Sequence, residues 1–269
     1  MTSTYRLYKH AWISANADGE QKLSQQECRK LLREGGGLLV RNVYDFDCAT
    51  QTSFWYVIKD SFGGLEELST GARRDVRKSL RVYDIERISI DVLKEEGYAV
   101  YATAQATYRV HCDVLTREEF DRLIEGYSIA SDKEFWGVRN KETKELVAIA
   151  INTIFKNSCE YNVLKCKPEA LRDGSQPYYG LIYEMNKYYL EELHLNYVND
   201  GARTITNHSN IQSYLIQKFK FRKAYCRLSI TYCWWLTPII KIVYPLRRFI
   251  HTPQVVALMN MEAMARGEI

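Results

Sequence analysis

Hydrophobic and polar positions along the chain follow two kinds of period. Short apolar runs or strict alternation predict strands at 38–45, 54–59, 85–90, 135–139, 146–154, 158–164, 197–200 and 224–234. Periods of three and four residues predict helices at 68–80, 91–109, 116–129, 179–193 and 210–219. The run 146–154 is apolar at consecutive positions, as expected for a central strand covered on both faces. Strands and helices that alternate in this way predict an α/β layered domain.

The segment 91–109 has two interpretations. Its aromatic residues and valine favour a strand. However, Tyr98, Tyr101, Gln105 and Tyr108 lie near helical spacing, and alanines fill the gaps between them. We therefore expect a helix. The helix that follows has a clear start signal, because the sequence from Thr116 to Glu119 has the pattern of a capping box.

Positive charge is unevenly placed, although the formal net charge is only +4. A basic helix is predicted at 68–80, with Ser69 or Thr70 as its N-cap. Five cations lie within 71–81: four belong to this helix, and the fifth, Arg81, directly follows it. A second basic group consists of Lys218, Lys220, Arg222, Lys223 and Arg227. Such groups suit phosphate-rich partners, including coenzyme A, nucleotides, tRNA and anionic lipid. A solvated helix face explains the first group equally well.

Cysteine usage and the N-terminus predict a cytoplasmic protein. The seven cysteines form no CxxC motif, and an odd number favours free thiols in a reducing compartment. The first ten residues lack the apolar core of a signal peptide, and no run of eighteen apolar residues predicts a membrane-spanning helix.

The C-terminal segment 237–250 is apolar and carries Lys241, Arg247 and Arg248. This composition fits a helix that lies at a membrane interface, which predicts peripheral contact with the inner membrane surface. It equally fits a helix that packs on the sheet or on a second copy of the chain, as in a homodimer. Both interpretations remain open.

From Ile85 onward the predicted order is strand, two helices, three strands, helix, strand, helix and strand. This order resembles the GNAT superfamily of acyl-CoA N-acyltransferases over about 82–235. The basic helix at 73–78 and the segment 200–204 resemble the branch related to Fem-type aminoacyl transferases. The resemblance implies a GNAT-like mixed central sheet with helices on both faces. Residues 82–236 would form the acyltransferase domain, with 1–81 as an N-terminal extension and 237–269 as a C-terminal amphipathic helical tail.

The resemblance also implies an activity. A GNAT-like acyltransferase moves an acyl group from acyl-CoA or acetyl-CoA to an amine, here on a small molecule or a peptide, without a metal. Two alternatives remain: Fem-type aminoacyl transfer from charged tRNA, and a catalytically degenerate GNAT-fold binding module.

The loop 165–179 stands where the superfamily keeps its pyrophosphate loop. Backbone N–H groups at a helix start, together with the helix dipole, stabilise phosphate charge there. By resemblance, a backbone N–H near 164–166 polarises the acyl carbonyl, and the donor lies between 146–154 and the continuation of 158–164. An ordinary capped turn is the alternative for the loop. The predicted cofactor contacts are Leu164, Cys166, Arg172, Gly174, Ser175 and Gln176.

Three residues are candidates for proton transfer. Glu160 is the candidate general base, because it lies on the strand that should line the cleft. Aligned on Phe221, the chain has Ile216 where the family helix has the tyrosine that protonates the leaving thiolate. Tyr214 and Tyr225 lie close enough in sequence to replace that tyrosine. A packing role is the alternative for both tyrosines, and a surface position is the alternative for Glu160.

Overall fold

The computed structural model describes residues 5–18, 21–107, 114–205 and 210–269. Its strands are β1 (Tyr5–Tyr8), β2 (Ala11–Ser14), β3 (Leu39–Tyr44), β4 (Phe54–Lys59), β5 (Tyr83–Ile88), β6 (Lys133–Asn140), β7 (Leu146–Ile154), β8 (Ser158–Cys166), β9 (Tyr197–Ala202) and β10 (Arg222–Tyr232). Its α-helices are α1 (Gln25–Glu34), α2 (Thr70–Val82), α3 (Ile90–Ala106), α4 (Arg117–Ile129), α5 (Pro168–Arg172), α6 (Pro177–Asn186), α7 (Ile211–Phe219), α8 (Leu236–Val243) and α9 (Pro253–Arg266). The described elements confirm the predicted mixed α/β class.

The chain divides into two compact units. Unit 1 comprises Met1–Val57, Ala202–Asn207 and Lys223–Ile269, and unit 2 comprises Ile58–Gly201 and His208–Arg222. These bounds differ from the three segments expected from the sequence, which ended at residues 81, 236 and 269. The basic helix α2 belongs to unit 2, whereas most of β10 belongs to unit 1. Both units are therefore assembled from separate parts of the sequence.

Unit 1 contains strands in the order β1-β2-β3-β10-β4. β2 and β3 are parallel, while β1 with β2 and β3 with β10 are antiparallel. The helix α1 covers one end of this unit, where Cys28 packs against Tyr5 and Val40. A second core joins α8 and α9 through Ile240, Tyr244, Met259 and Ala263. None of the described helices is long and apolar enough to cross a membrane.

Unit 2 contains strands in the order β9-β8-β7-β6-β5. The pairs from β5 to β8 are antiparallel, and β8 with β9 is parallel. All but the last residue of β7 is buried, which confirms the prediction of a central strand covered on both faces.

Helices cover both faces of β7. Ile149 and Ile151 pack in a core with Leu93 of α3 and Phe120 of α4. The next side chain, Asn152, points the opposite way, because successive residues of a strand face opposite sides. It contacts Met185 of α6 at 3.3 Å. The basic helix α2 in turn packs on α6.

Local start signals explain several helix boundaries. The capping box of α4 is confirmed: Glu119 N donates to Thr116 Oγ1 at 3.2 Å, and Thr116 N donates to Glu119 Oε2 at 2.8 Å. Ser69 caps α2. The segment 91–109 is helical, as expected, through Ala106, and residues 108 and 109 lie outside the described residues. The predicted helix 179–193 begins earlier, at Pro177, and ends in a π-helical turn over Lys187–Glu192.

The close packing of α2 on α6 depends on Gly180. An added Cβ at this position would lie 2.5 Å from Ser79 Oγ of α2 and would also overlap Ile85. We expect Gly180→Ala to lower the free energy of unfolding by about 1–3 kcal/mol, as overpacking does.

Gly126→Ala is the matched control, because Gly126 lies on the exposed face of α4 with open space around its Cβ position. It should raise the free energy of unfolding by about 0.5–1 kcal/mol through helix propensity alone. Urea denaturation monitored by circular dichroism measures both changes. Equal effects of the two variants would contradict the close approach.

Candidate functional site

The strands β8 and β9 of unit 2 begin as neighbours and then separate. They pair in parallel over three residues, ending with Glu160 opposite Asn199. The β7–β8 register shifts between Ile151 and Asn152, which leaves Asn162 as an extra residue in β8. Such a bulge bends the strand that carries it. A cavity of about 490 Å³ opens where the two strands diverge.

Aromatic and apolar side chains form most of the cavity wall. β8 contributes Tyr161, Asn162 and Leu164, β9 contributes Asp200, and the remaining lining comes from α5, α6 and α7 together with the residues that precede α6 and α7. This arrangement of apolar walls with few polar groups is typical of small-molecule sites. The further lining residues are Leu171, Gln176, Pro177, Tyr178, Tyr179, Asn210, Ile211 and Tyr214.

Asp200 is the only acidic residue among those that line the cavity. Burial, with a smaller contribution from the charge of Glu160, raises the pKa of Asp200 from its usual 3.8 to about 8. The residue keeps some exposed area but is densely surrounded by protein. Within the described part of the chain, no hydrogen-bond donor contacts its carboxylate. Asp200 can therefore take up or release a proton near neutral pH.

The backbone around Asp200 is held by its neighbours. Asn199 is buried, and its Oδ1 accepts a hydrogen bond from Gly201 N at 2.9 Å. Gly201 has a φ of 83°, a left-handed conformation that favours glycine. Gly201 lies within the last two residues of β9, directly after Asp200.

Two tyrosines of the cavity wall interact with each other. The rings of Tyr179 and Tyr214 meet edge to face, with centroids 5.4 Å apart. Burial raises the pKa of both phenols, so that both stay protonated at neutral pH. Both hydroxyls therefore keep a proton that they can donate.

A buried hydrogen-bond network supports the inner end of β8. Tyr189 Oη accepts from Trp136 Nε1 at 2.8 Å and from Asn152 Nδ2 at 3.1 Å, and it donates to Glu134 Oε2 at 3.0 Å. The ring of Tyr161 packs against Tyr189 with centroids 6.1 Å apart. These three hydrogen bonds hold Tyr189 in place, while Asn152 Oδ1 is buried without a partner among the described residues.

In the loop between α5 and α6, a carboxylate of the loop accepts a hydrogen bond from the loop backbone. Ser175 N donates to Asp173 Oδ1 at 2.7 Å, and the Ser175 hydroxyl is bonded to Asp173, Tyr83 and the carbonyl of Ala170. Gly174 has a φ of 78°, and Lys78 Nζ of α2 lies 3.6 Å from the position that a Cβ on Gly174 would take. A carboxylate therefore already accepts from the backbone of this loop, and a cation lies beside it.

No known family model matches this sequence, and no curated protein matches it. Its fold is nevertheless similar to that of solved proteins. A FemX crystal structure superposes with a TM-score of 0.55 at 11% identity and covers 80% of this chain and 76% of FemX. L-PGS from Bacillus licheniformis gives a TM-score of 0.52 at 10% identity, over 97% of this chain and 85% of that one. The C-terminal domain of a putative lysylphosphatidylglycerol synthetase from Agrobacterium fabrum gives 0.52 at 13% identity, over 98% and 85%.

The chain shares the fold of FemX, of L-PGS and of the Agrobacterium fabrum domain. At 10–13% identity the likeness concerns the fold alone. It confirms the resemblance predicted from the order of elements.

Within this GNAT-like fold, the predicted position of the donor between β7 and the continuation of β8 is wrong. These two strands pair along their length, from Ile154 opposite Cys159 to Ala148 opposite Cys166. Paired strands leave no cleft between them. The opening lies on the other side of β8, towards β9.

The cavity brings together three of the residues predicted from the sequence. Leu164, Gln176 and Tyr214 line it. Glu160 lies on β8 at the last pair before the strands diverge, and its charge acts on Asp200. Tyr225 does not line this cavity, since it lies on β10 and lines a different cavity in unit 1.

The predicted cofactor contacts of the loop are arranged differently. Arg172 is exposed at the end of α5, and Gln176 precedes α6 with a φ of 65°. Ser175 is buried and hydrogen-bonded within the protein, as described above. The Cys166 thiol is buried, and burial raises its pKa to about 12. These residues would therefore contribute to a phosphate contact mainly through backbone groups.

Sequence reasoning missed Asp200 as a candidate for proton transfer. The signal was an Asp-Gly pair at the end of a short strand. In α/β sheets, ligands bind beyond the carboxyl ends of strands where neighbouring strands part. Tyr179 was missed as well, because it was considered only as the first residue of the predicted helix 179–193. Among the described residues, no group of three His, Cys, Asp or Glu side chains could hold a metal ion.

We expect Asp200 to make the protein less stable as pH rises. Its folded pKa of about 8 exceeds the usual 3.8, so the folded state binds more protons than the unfolded chain between these values. The free energy of unfolding should therefore fall by up to about 1.4 kcal/mol per pH unit as pH rises through this interval. Asp200→Asn cannot ionise and should flatten the slope.

Urea denaturation at about pH 5 to 8 measures this slope. Asp132→Asn is the control, because Asp132 is an exposed acid of the same unit. It should keep the slope of the unmodified protein. If Asp200→Asn also kept it, the carboxyl of Asp200 would not have a raised pKa.

Proposed function

We propose that the protein transfers an acyl or aminoacyl group to an amine, and that the cavity between β8 and β9 is the reaction site. The observation that carries this proposal is Asp200. It is a carboxyl with a pKa of about 8, placed where two strands part in a GNAT-like fold. A general base works best when its pKa lies near the working pH.

The proposed chemistry follows from the cavity. The neutral amine attacks the carbonyl carbon of the donor, a C–N bond forms, and Asp200 accepts the proton that the nitrogen loses. The bond from the carbonyl carbon to the leaving sulfur or oxygen then breaks. Tyr179, which lines the cavity and whose pKa is raised by burial, supplies a proton to the leaving group. Apolar walls hold the two reactants together and exclude water.

The donor would carry phosphate. In α2, Arg73 is paired with Glu66 and Arg74 with Asp75. Three further cations of this helix, Arg77, Lys78 and Arg81, are exposed, and no carboxylate of the described residues pairs with them. Lys78 lies beside Gly174 of the loop at the cavity wall. These charges support a phosphate-bearing donor such as acyl-CoA or acetyl-CoA.

Aminoacyl-tRNA is the second candidate donor. The contact between Asp173 and Ser175 N weighs against a diphosphate held on this backbone. Several cations along one helix instead suit an extended phosphate backbone. The solved neighbours FemX and L-PGS cover most of this chain. The acceptor would be an amine-bearing small molecule or peptide, and the cysteine usage supports a cytoplasmic protein.

Replacing Asp200 tests the proposed activity. Mass spectrometry should detect an acylated amine when acetyl-CoA, a longer acyl-CoA or aminoacyl-tRNA is mixed with amine acceptors. Asp200→Asn should lower kcat/KM about 100-fold or more, because it removes the general base. In the unmodified protein, kcat/KM should rise with pH up to about pH 8, and Asp200→Asn should lose that rise.

Two controls accompany this test. Asp132→Asn removes an exposed carboxyl and should leave the activity unchanged. Tyr225→Phe removes a phenol that lines the other cavity and should also keep the activity; a large loss would instead support the original prediction for Tyr225. Ligand binding without transfer from any of the three donors would indicate a GNAT-fold binding module.

Replacing the exposed cations of α2 distinguishes the two donors. The triple variant of Arg77, Lys78 and Arg81 to Gln should weaken tRNA binding and lower the slope of log affinity against log salt by about 2, since fewer counterions are released. For acyl-CoA, Lys78→Gln alone should account for most of the loss. Fluorescence anisotropy measures both ligands.

The matched control places the same change of charge elsewhere in unit 2, at Arg122, Lys144 and Lys156, each replaced by Gln. These three residues are exposed. An equal loss of tRNA affinity in the control would show that net charge, rather than α2, determines binding.

A further inference from the structure

An exposed apolar surface lies at the end of unit 1. Six of the fifteen exposed large hydrophobic residues in the described chain fall between Trp234 and Phe249. Large apolar surface concentrated in one place marks a binding surface, whereas single exposed residues do not. We call these six residues the exposed stripe: Trp234 (87% exposed), Trp235 (42%), Ile239 (46%), Ile242 (69%), Leu246 (54%) and Phe249 (78%).

The exposed stripe lies opposite a buried stripe of the same segment. Ile240 and Tyr244 pack against Met259 of α9, which orients α8 and the 3-10 turn that follows it. Ile239, Ile242 and Leu246 recur at intervals of three and four residues and therefore share another side of the segment. One side of 237–250 therefore packs within unit 1, as considered above. Its second apolar side is not covered by any of the described residues.

The charge around the exposed stripe is positive. Lys241 and Arg248 are exposed, with no carboxylate of the described residues in contact, while Arg247 is paired with Glu268 at 2.8 Å. The sequence from Gly201 to Met261 contains nine Lys or Arg residues and no Asp or Glu. Lys241 lies in α8 and Arg248 in the 3-10 turn that follows it, so both belong to the segment that carries the exposed stripe.

This charge favours an anionic lipid surface over a second copy of the chain. In a symmetric dimer the same surface of both copies would meet. Two sets of cations would then approach each other, and the segment offers no carboxylate to pair with them. A membrane with anionic headgroups instead supplies the opposite charge, and its interfacial region accommodates tryptophan and phenylalanine side chains.

We propose that the exposed stripe, flanked by Lys241 and Arg248, binds the surface of anionic membranes. The segment lies in the plane of the interface with Ile242 and Phe249 inserted among the lipid chains. Trp234 and Trp235 lie at headgroup level, and the two cations contact the phosphate groups. This binding does not depend on the proposed transfer activity, which belongs to the cavity in unit 2.

Vesicle flotation of the full chain tests the proposal. The protein should float with vesicles of three parts phosphatidylcholine to one part phosphatidylserine, and it should bind phosphatidylcholine alone about tenfold or more weakly. Phe249→Ser and Ile242→Ser should each lower the affinity for mixed vesicles about tenfold, because a large apolar side chain no longer leaves water. Lys241→Gln with Arg248→Gln should remove most of the preference for phosphatidylserine.

Ile129→Ser is the matched control, since Ile129 is 88% exposed but lies at the end of α4 in unit 2. It should float like the unmodified protein, and thermal melts should show that all variants are folded. Failure of the full chain to float, or an equal loss with Ile129→Ser, would overturn the proposal. A dimer that light scattering detects and that Phe249→Ser dissociates, without any flotation, would assign the surface to a second copy instead.

Discussion

The early separation of two parallel strands is the constraint on which the candidate site depends. β8 and β9 pair for three residues only. Beyond Glu160 and Asn199, the bulge at Asn162 bends β8, and Gly201 gives the end of β9 a left-handed backbone conformation. Side chains that would otherwise face a neighbouring strand therefore face a cavity. Two local backbone features thus suffice to open the site.

The same separation places Asp200 in an unfavourable position. A carboxylate that lies within protein, with no hydrogen-bond donor among the described residues, costs free energy when it ionises, which is why its pKa rises. A polar residue paired with a donor at this place would cost less. Strongly shifted pKa values in clefts are more common at functional sites than elsewhere. The raised pKa of Asp200 and its place in the cavity therefore support the proposed role in proton transfer.

Periodicity was sufficient to predict most of the fold. The bounds of β4 and β7 agree with the predicted strands, and α4 begins at its predicted capping box, because burial and capping are encoded by neighbouring residues. The site was harder to predict from the sequence, and the reason is physical. Asp200 acquires its properties from where β8 leaves β9, which is a tertiary feature. The sequence order likewise could not distinguish the closely paired strands β7 and β8 from the diverging strands β8 and β9.

In the proposed reaction, the backbone of the loop before α6 would contribute less to binding of a phosphate-bearing acyl donor than the side chains of α2. A phosphate bound in the usual way would accept from Ser175 N, but Asp173 already does so. If a phosphate displaced Asp173, the Asp173 carboxylate would lose its hydrogen bond from Ser175 N and would still lie beside the negatively charged phosphate. The remaining attraction comes from Lys78 and its neighbours on α2, whose ammonium and guanidinium groups adapt to many phosphate arrangements. In the proposed reaction, charge along this helix would therefore favour donors with several phosphates more strongly than the loop would favour the shape of a diphosphate.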